Sequence, residues 1–318
     1  SKHAISITNG SLALFAILKA LNIGPGDEVI VPDLTFIATA NSVLMTGAKP
    51  ILCDINTNNW AIDPEKVEKL INKKTKAVIP VHLYGFAADL DQLRLITKKY
   101  NIFLIEDAAQ GVGVLYNRKH VGTFGIAGIL SFYGNKTITC GEGGIVLTDC
   151  DQIANDVYKL KNHGREKKGI FEHESIGFNL SFTEMQAAIG IAQIKKLNKI
   201  INKKKEINDR YRKQIDPQIS LTPKPKNTRQ VHWFTSLKSK NVIGLQKYMS
   251  KNNVQTRRIF LPLHQQPCFR NLLNIQDNFS NSNFVYQNYL SMPSSYKLKN
   301  YELDLVAKLI NDFELKEK

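Results

Sequence analysis

Lys136 is the side chain whose surroundings best suit covalent chemistry on a carbonyl group. It stands between the aromatic pair Phe132-Tyr133 and the turn Gly141-Glu142-Gly143-Gly144, with no carboxylate closer in the chain than Glu142. Partial desolvation lowers the pKa of an amine, and a neutral amine can form an imine with a carbonyl. A single lysine in so basic a chain is most often a surface residue, so this interpretation depends on the segments that accompany Lys136.

Two other segments place reactive groups just after apolar runs. The turn Asn9-Gly10-Ser11 follows the run at 5–7, where free backbone N–H groups and a helix dipole would hold a phosphate; an ordinary N-cap would have the same sequence. Glu106-Asp107 follows the run at 103–105. A carboxylate there could hold a proton on a heterocyclic nitrogen, bind a metal or a ribose, or simply end an exposed strand.

Alternating apolar and amphipathic segments predict the elements that position these groups. Short Val- and Ile-rich runs alternate with helical patterns up to about residue 150, which indicates β-α-β units, a mostly parallel sheet and helices on both of its faces. Ligands of such sheets bind beyond the carboxyl ends of the strands. Strands are predicted at 4–7, 29–31, 50–52, 77–81, 102–105 and 145–147, and helices at 12–21, 36–45, 64–71, 90–98, to about 162, from 183 past 201, and at 302–313.

Composition limits the class of protein without identifying it. The 318 residues include 43 Lys and Arg against 28 Asp and Glu, a formal net charge of +15, which favours an anionic partner. A nucleic-acid-binding protein is therefore an alternative, but the sequence has no helix-turn-helix pattern, zinc pattern or basic stripe with aromatic residues. The four cysteines form no CxxC pair, which excludes a zinc ribbon and indicates a reducing compartment.

The termini and the hydropathy indicate where the protein acts. No apolar stretch reaches eighteen residues and no signal peptide is present, so we expect a cytoplasmic protein that makes no contact with a membrane. A strand begins only three residues from the start of the chain, and we therefore expect an N-terminal segment to be missing from this sequence.

A series of ordered motifs resembles the DegT/DnrJ/EryC1/StrS aminotransferases over nearly the whole chain. The motifs are Asn9-Gly10-Ser11, Gly26-Asp27-Glu28, Thr35-Phe36, Val81-His82-Leu83-Tyr84-Gly85, Glu106-Asp107-Ala108-Ala109-Gln110, Ser131-Phe132, Lys136, Gly141-Glu142-Gly143-Gly144, Asn162-His163-Gly164-Arg165, Gly177-Phe178-Asn179, Thr183-Glu184-Met185-Gln186, Thr256-Arg257 and Pro262-Leu263-His264. The resemblance implies an α/β protein of the pyridoxal-phosphate-dependent transferase fold type I, like aspartate aminotransferase. A large domain (1–205) with a mostly parallel seven-stranded sheet would precede a smaller C-terminal α/β domain (206–318).

The resemblance also implies roles for particular residues. Lys136 would carry the cofactor as a Schiff base and move the proton, and Asp107 would pair with the ring nitrogen. Gln110 would meet the ring hydroxyl, Phe36 would stack on the ring, and the phosphate would bind Gly10, Ser11, Leu12 and Ser131. Asn179 would reach the phosphate of a neighbouring subunit, so that a homodimer shares its active sites; Leu180-Ser181 replaces the aromatic residue and arginine of many relatives and puts the detail of that contact in doubt.

For the substrate, the resemblance offers candidates with open alternatives. His163, Arg165, Arg257 and His264 would approach the nucleotide sugar, although His264, like His82, could equally be structural. Tyr84 is a further candidate, and like Trp233 it could instead serve only for packing. No metal is expected.

The reaction implied is a transamination in two halves. Glutamate would convert pyridoxal phosphate to pyridoxamine phosphate, which then aminates a keto sugar carried on a nucleotide diphosphate. The segment 132–136 and the triplet at 163–165 resemble the perosamine synthase branch, which aminates C4 of GDP-4-keto-6-deoxymannose for the amino sugars of O-antigen lipopolysaccharide. A pyridoxamine-dependent sugar dehydratase is the alternative within the fold, but such relatives have His in place of Lys136.

Overall fold

A seven-stranded sheet organises the first half of the chain in the computed structural model, which describes residues 1–166, 169, 171–222, 225, 227–270 and 278–316. The strands of this half are β1 (His3–Ile7), β2 (Glu28–Pro32), β3 (Lys49–Cys53), β4 (Thr75–Val78), β5 (Phe103–Asp107), β6 (Leu115–Tyr116), β7 (Lys119–His120), β8 (Ala127–Ser131) and β9 (Gly144–Thr148). Of these, β6 and β7 pair instead in a small separate sheet with β10 (Thr228–Arg229).

The order and direction of the strands bring six carboxyl ends to one edge. The order across the large sheet is β1-β9-β8-β5-β4-β2-β3. Strand β9 runs antiparallel to both of its neighbours, whereas the other pairings are parallel. The mostly parallel sheet predicted from the sequence is confirmed, and the amino end of β9 lies at the same edge as the carboxyl ends of β1, β5 and β8.

Helices cover both faces of the sheet, as predicted. The helices of this half are α1 (Gly10–Ala20), α2 (Ala38–Leu44), α3 (Pro64–Leu70), α4 (Leu90–Lys99) and α5 (Asp151–Lys161). Side chains of a strand alternate between the two faces. Within β2, Val29 and Val31 pack in the core formed with α1, α2 and α5, while Ile30 packs in the core formed with α3 and α4.

The predicted continuous helix from Thr183 past Ile201 is wrong, because the chain forms two helices. These are α6 (Glu184–Ile194) and α7 (Leu197–Gln214), separated by a turn at Lys195 and Lys196. Thr183 and Gln186 form a capping box at the start of α6. The backbone of both turn residues stays in the right-handed helical region, and neither is glycine or proline, so the sequence carries no signal for the break.

The C-terminal part builds a separate core around a three-stranded antiparallel sheet. Its elements are β11 (Ser236–Lys238), α8 (Val242–Lys251), β12 (Arg257–Arg258), α9 (Pro267–Arg270), α10 (Ser280–Asn288), β13 (Tyr289–Ser291) and α11 (Asn300–Lys316). Strand β13 lies between β11 and β12. The core contains Tyr211 of α7, Leu237, Met249, Leu290 and Ile310.

The expected domain boundary after residue 205 falls within helix α7. Ile200 packs against the core that contains Phe132, whereas Ile207 packs in the C-terminal core. The division into two domains stays a prediction, and residues 223, 224, 226, 271–277, 317 and 318 of the expected small domain lie outside the described residues. Among the described helices, none has the length and apolar character needed to cross a bilayer.

Candidate active site

The three segments singled out in the sequence meet at one edge of the large sheet. Asn9 and Gly10 follow the carboxyl end of β1, Asp107 ends β5, and Ser131 ends β8. The Gly-rich turn that precedes β9 comes to the same edge, because Gly144 pairs with both Ile7 and Ser131. Segments more than a hundred residues apart therefore converge because of the strand order.

A cavity of about 600 Å³ opens at this edge. Its walls include nine of the predicted site residues: Gly10, Ser11, Leu12, Phe36, Asp107, Gln110, Ser131, Lys136 and Arg257. The remaining wall residues include Asn9, Thr39, Glu142, Trp233 and Phe260. We refer to this space as the cofactor cavity.

Lys136 is held in surroundings that favour the neutral amine. Burial lowers the pKa of its amine to about 8, and the nearby negative charge of Asp107 acts in the opposite direction. The Lys136 Nζ lies 4.3 Å from the centroid of the Trp233 ring. At neutral pH a protonated and a neutral form are therefore both accessible, as a group that gives and takes protons requires.

Trp233 also fixes the backbone beside Lys136. Its indole N–H donates a hydrogen bond of 2.7 Å to the carbonyl oxygen of Asn135, and the side chain is almost fully buried. The same residue thus presents its ring to the Lys136 amine and anchors the preceding peptide. It restricts where the amine can go.

Asp107 is buried, and hydrogen bonds orient both of its carboxylate oxygens. Oδ2 accepts a 2.8 Å hydrogen bond from the Thr39 hydroxyl, and Oδ1 accepts one of 3.1 Å from the backbone N–H of Ala109. Asp107 thus presents an oriented anion to the cavity.

Glu106, the second acid of the pair, serves a different purpose. Its carboxylate accepts hydrogen bonds from the backbone N–H groups of Gly122 and Gly125, and it lies 3.1 Å from His82 Nε2. These partners keep the pKa of Glu106 below its usual value despite complete burial, which acts in the opposite direction. Glu106 and His82 are therefore structural, and of the two acids only Asp107 faces the cavity.

The first turn of α1 forms the floor of the cavity. Asn9 is the N-cap, and its side chain accepts a hydrogen bond from the Leu12 N–H at 2.9 Å, so the ordinary N-cap is present. Gly10 lies so close to Ser131 that an added Cβ would come within 3.1 Å of the serine Cβ. The first N–H groups of a helix lack partners within it, and the helix dipole favours an anion there. The N-cap hydrogen bond therefore does not exclude an anion at this turn.

Two further wall residues could contact a flat ring. Gln110 is buried, and its side-chain oxygen accepts a 2.8 Å hydrogen bond from the Tyr84 N–H, so its amide group is the donor turned to other partners. The Phe36 ring is 52% exposed and lies 5.8 Å from the ring of Phe260. Together they offer an amide donor and an aromatic face.

Five predicted residues lie outside the walls of the cofactor cavity. Tyr84 is buried among aromatic rings, including Trp60, Trp233 and Phe260. His264 is bound to Asp33, with its Nδ1 2.7 Å from Oδ2, and stacks on Phe279. These environments agree with the packing interpretation of Tyr84 and the structural interpretation of His264.

The other three form a group that the single chain leaves away from the cavity. The Arg165 guanidinium donates a 2.8 Å hydrogen bond to the side chain of Asn162. The backbone of Asn162 in turn forms an antiparallel β-bridge with Asn179. His163 and Asn179 are both exposed. Their predicted contacts with substrate or with a neighbouring subunit stay predictions.

Two contributors were missed by the reasoning from sequence. Thr39 stands three residues after Phe36, and this spacing of one helical turn was the signal that could have placed it beside the same ligand. Trp233 has no local motif around it that favours a role beside Lys136, which lies 97 residues earlier in the chain. Only the tertiary structure places Trp233 next to Lys136.

Comparison with known proteins agrees with this geometry. The sequence profile of the DegT/DnrJ/EryC1/StrS aminotransferase family matches residues 1–311. The GDP-perosamine synthase of Vibrio cholerae is 37% identical over 299 residues, which cover 92% of this chain and 81% of that protein. The GDP-perosamine synthase of Escherichia coli O157:H7 is 35% identical over 315 residues, with coverage of 98% and 86%. The crystal structure of S. venezuelae DesV in complex with a ketimine intermediate superimposes with a TM-score of 0.94 at 29% identity, covering 99% of this chain and 85% of DesV.

Proposed function

The chain belongs to the DegT/DnrJ/EryC1/StrS aminotransferase family, and from this premise we propose that it transfers the amino group of glutamate to C4 of GDP-4-keto-6-deoxymannose, yielding GDP-perosamine. It is a pyridoxal-phosphate-dependent nucleotide-sugar aminotransferase. The observation that supports the narrower substrate is the identity of 37%, 35% and 34% to three GDP-perosamine synthases.

The residues of the cofactor cavity fit pyridoxal phosphate. The first turn of α1 and Ser131 offer N–H and hydroxyl donors suited to the phosphate, Asp107 an oriented anion suited to the ring nitrogen, and Lys136 an amine suited to the aldehyde. Gln110 would meet the ring hydroxyl, and Phe36 would cover the ring. When bound, the cofactor supplies an aldehyde that takes up the amino group and a ring that accepts electrons from the deprotonated carbon.

The chain's own residues supply the proton transfer and the orientation. The Lys136 Nζ holds or releases a proton near neutral pH, which suits it to take a proton from the reacting carbon and to return it. Thr39 and the Ala109 N–H hold the Asp107 carboxylate in a fixed orientation. Trp233 limits the positions that the amine can reach.

Product analysis tests this proposal. The purified protein with cofactor and glutamate would be given a panel of GDP-, dTDP- and UDP-linked 3-keto and 4-keto sugars, and products would be identified by mass and NMR. We expect an amine at C4 of the GDP-linked 4-keto-6-deoxymannose. A product only at C3, or only on another carrier, would contradict the substrate and leave the aminotransferase activity in place.

A homodimer that shares its active sites is the second part of the proposal. Helix α6 is rich in apolar residues but buries none of them in the single chain: the side chains of Met185, Ile189, Ile191 and Ile194 are between 49% and 78% exposed. Gln186 at its start donates a 3.1 Å hydrogen bond to the carbonyl oxygen of Glu142, a wall residue of the cofactor cavity. Four large apolar side chains exposed on one helix favour an interface with another protein chain. A second copy on α6 would therefore lie beside the site.

Mixing two inactive variants tests the sharing. The test assumes that Asn179 serves the site of the neighbouring subunit. A dimer of one Lys136→Ala chain and one Asn179→Ala chain then contains one site with both Lys136 and Asn179, because each chain supplies the residue that the other lacks. We expect refolded equal mixtures to recover about a quarter of the wild-type rate, because half of the dimers are hybrid and each has one intact site. The matched control, Lys136→Ala mixed with Asp107→Ala, should recover nothing, since those residues belong to the same subunit. Equal recovery in both mixtures, or none in either, would contradict the sharing through Asn179.

A further inference from the structure

A second cavity of about 600 Å³ adjoins the cofactor cavity and shares Asn135, Lys136, Trp233 and Arg257 with it. Three lysines of the α6–α7 region also line it: Lys196 in the turn, and Lys199 and Lys204 in α7. We call the space bounded by these three lysines and Arg257 the lysine cavity. The sequence predicts a solvated helix face for the basic run at 203–205, and this prediction is wrong for Lys204, which is buried.

The walls of the lysine cavity are positive without compensation. Besides Lys136, they contain four basic side chains, Lys196, Lys199, Lys204 and Arg257, and no aspartate or glutamate. Across the described part of the chain, Lys196, Lys199, Lys204 and Arg257 make no ion pair, whereas neighbouring Lys203 and Lys205 pair with Glu206 and Asp209. The cofactor cavity, by contrast, contains Asp107 and Glu142. Cations gathered without acids repel one another, and a bound anion would relieve that repulsion.

Lys204 shows that part of this charge is built into the fold. Its side chain is only 8% exposed, and its Nζ donates hydrogen bonds to the carbonyl oxygens of Trp233 at 3.1 Å and Ser294 at 3.3 Å. Burial lowers the pKa of this amine to about 8. An ammonium group has three N–H donors, and two are used here. The third suits an acceptor within the cavity, and an anion there would favour the charged form.

The rest of the wall offers neutral donors. Hydroxyl groups come from Thr137 after the Lys136 segment and from Ser295 and Tyr296 after β13. The hydroxyl groups of Thr139 and Ser294 also line the cavity, but they already donate to the carbonyl oxygens of Phe132 and Met292. Lysine ammonium groups together with hydroxyl groups form the donor set that binds phosphate oxygens.

We propose that the lysine cavity binds the diphosphate of the nucleotide sugar, with Lys196, Lys199 and Lys204 as donors and Arg257 at the boundary with the cofactor cavity. This inference rests on the proposed function, since it assumes a substrate that carries a diphosphate. Because both cavities share Lys136 and Trp233, a sugar placed at the Lys136 amine can extend its diphosphate into the lysine cavity. The carboxylates of the amino donor are the other anions that could enter, and the experiment separates the two.

Calorimetric titration of the cofactor-saturated enzyme with GDP, and separately with inorganic pyrophosphate, tests the proposal. In the double variant Lys196→Ala/Lys199→Ala we expect the Kd of both ligands to rise about a hundredfold, or about tenfold per lysine. Both side chains are exposed, so the fold should persist, as circular dichroism and the thermal midpoint would show. The glutamate half-reaction, followed by the change in cofactor absorbance, should keep its rate and its dependence on glutamate concentration.

The charge-matched control is Lys213→Ala/Lys247→Ala, two exposed lysines outside the cavity walls. It should change the Kd of GDP less than about twofold. Unchanged GDP affinity in the first double variant, an equal loss in the control, or a loss confined to glutamate would each overturn the proposal. A different pair of results would separate the two proposals. If the wild-type enzyme aminates no nucleotide sugar, and the first double variant still loses pyrophosphate binding, the proposed function is refuted while the lysine cavity remains an anion site.

Discussion

Lys136 lines both cavities and Lys204 lines only the lysine cavity; both contact Trp233, yet they differ in what surrounds them. Burial lowers the pKa of each amine to about 8. Lys136 lies over the ring of Trp233 and feels the charge of Asp107, whereas Lys204 is fixed by two backbone carbonyl oxygens. A lowered pKa therefore does not identify the amine that reacts. The groups around each lysine distinguish an amine free to move from one that is held.

The largest expected effect comes from removing one lysine or the other. Lys136→Ala should reduce turnover by about a thousandfold or more and abolish the visible absorbance of the lysine-bound cofactor, while the fold persists. Lys204→Met should keep that absorbance, because Lys204 belongs to the other cavity. Absorbance spectra and single-turnover rates measure both variants. A Lys204→Met protein without the absorbance band would break the distinction between the two lysines.

Removing Asp107 should leave Lys136, like Lys204, with burial as the main influence on its pKa. Asp107→Ala should retain some cofactor but lose about a hundredfold or more in rate, since the ring nitrogen would no longer be held protonated. The pKa of Lys136 should also fall, because the charge of Asp107 raises it. The pH dependence of the rate of reconstitution with pyridoxal phosphate reports that pKa. Near-normal activity would contradict the role of Asp107, and Thr39→Val should cause the same changes on a smaller scale.

The pH dependence of the free energy of unfolding should report the lowered pKa of Lys204. Its pKa is lower in the folded chain than the ordinary value of 10.5, so the unfolded chain binds more protons between about pH 8 and 10.5. The free energy of unfolding should therefore rise with pH across this window, by about 1 kcal/mol between pH 7 and 9 from this one group. Denaturant unfolding of the wild type and Lys204→Met, measured as a difference, isolates this contribution. Parallel curves would show that Lys204 titrates normally.

Trp233 connects the two lysines and should give the smallest change. Trp233→Phe keeps a ring beside Lys136 and removes the hydrogen bond to Asn135, so we expect reconstitution to slow severalfold without a shift of the Lys136 pKa. Trp233→Leu also removes the aromatic face, which stabilises an ammonium, so in this variant the pKa of Lys136 should fall. The reconstitution rate as a function of pH measures both. An equal pKa in the two variants would exclude a contribution from the ring.

Local patterns in the sequence were sufficient to predict the sheet and the three segments at its edge. Each depends on a few adjacent residues: the turn Asn9-Gly10-Ser11, the acid Asp107 after a strand, and Lys136 before a glycine-rich turn. The parallel arrangement then requires the ends of their strands to meet. For this reason Gly10, Ser11, Asp107 and Lys136 line one cavity. The other five predicted wall residues, Leu12, Phe36, Gln110, Ser131 and Arg257, were implied by the family resemblance.

Features that depend on distant segments could not be predicted in this way. The lysine cavity combines residues near 136, the turn and helix at 193–204, Trp233, Arg257 and the loop at 294–296. The break between α6 and α7 has no glycine or proline, so the helical periodicity appeared continuous across Lys195 and Lys196. The break matters because it sets the direction of α7, and hence which of its lysines face the lysine cavity.

Arg257 belongs to the walls of both cavities, and this position has a consequence for kinetics. If the proposed donor and acceptor both bind Arg257, one guanidinium would serve the carboxylate of the first and the phosphate of the second in turn, since in a two-stage reaction the donor leaves before the acceptor arrives. The two substrates would then exclude each other, and an excess of either should slow the stage that belongs to the other. Any change of this arginine that favours a new sugar would also alter the hold on the donor, which restricts how freely acceptor preference can diverge.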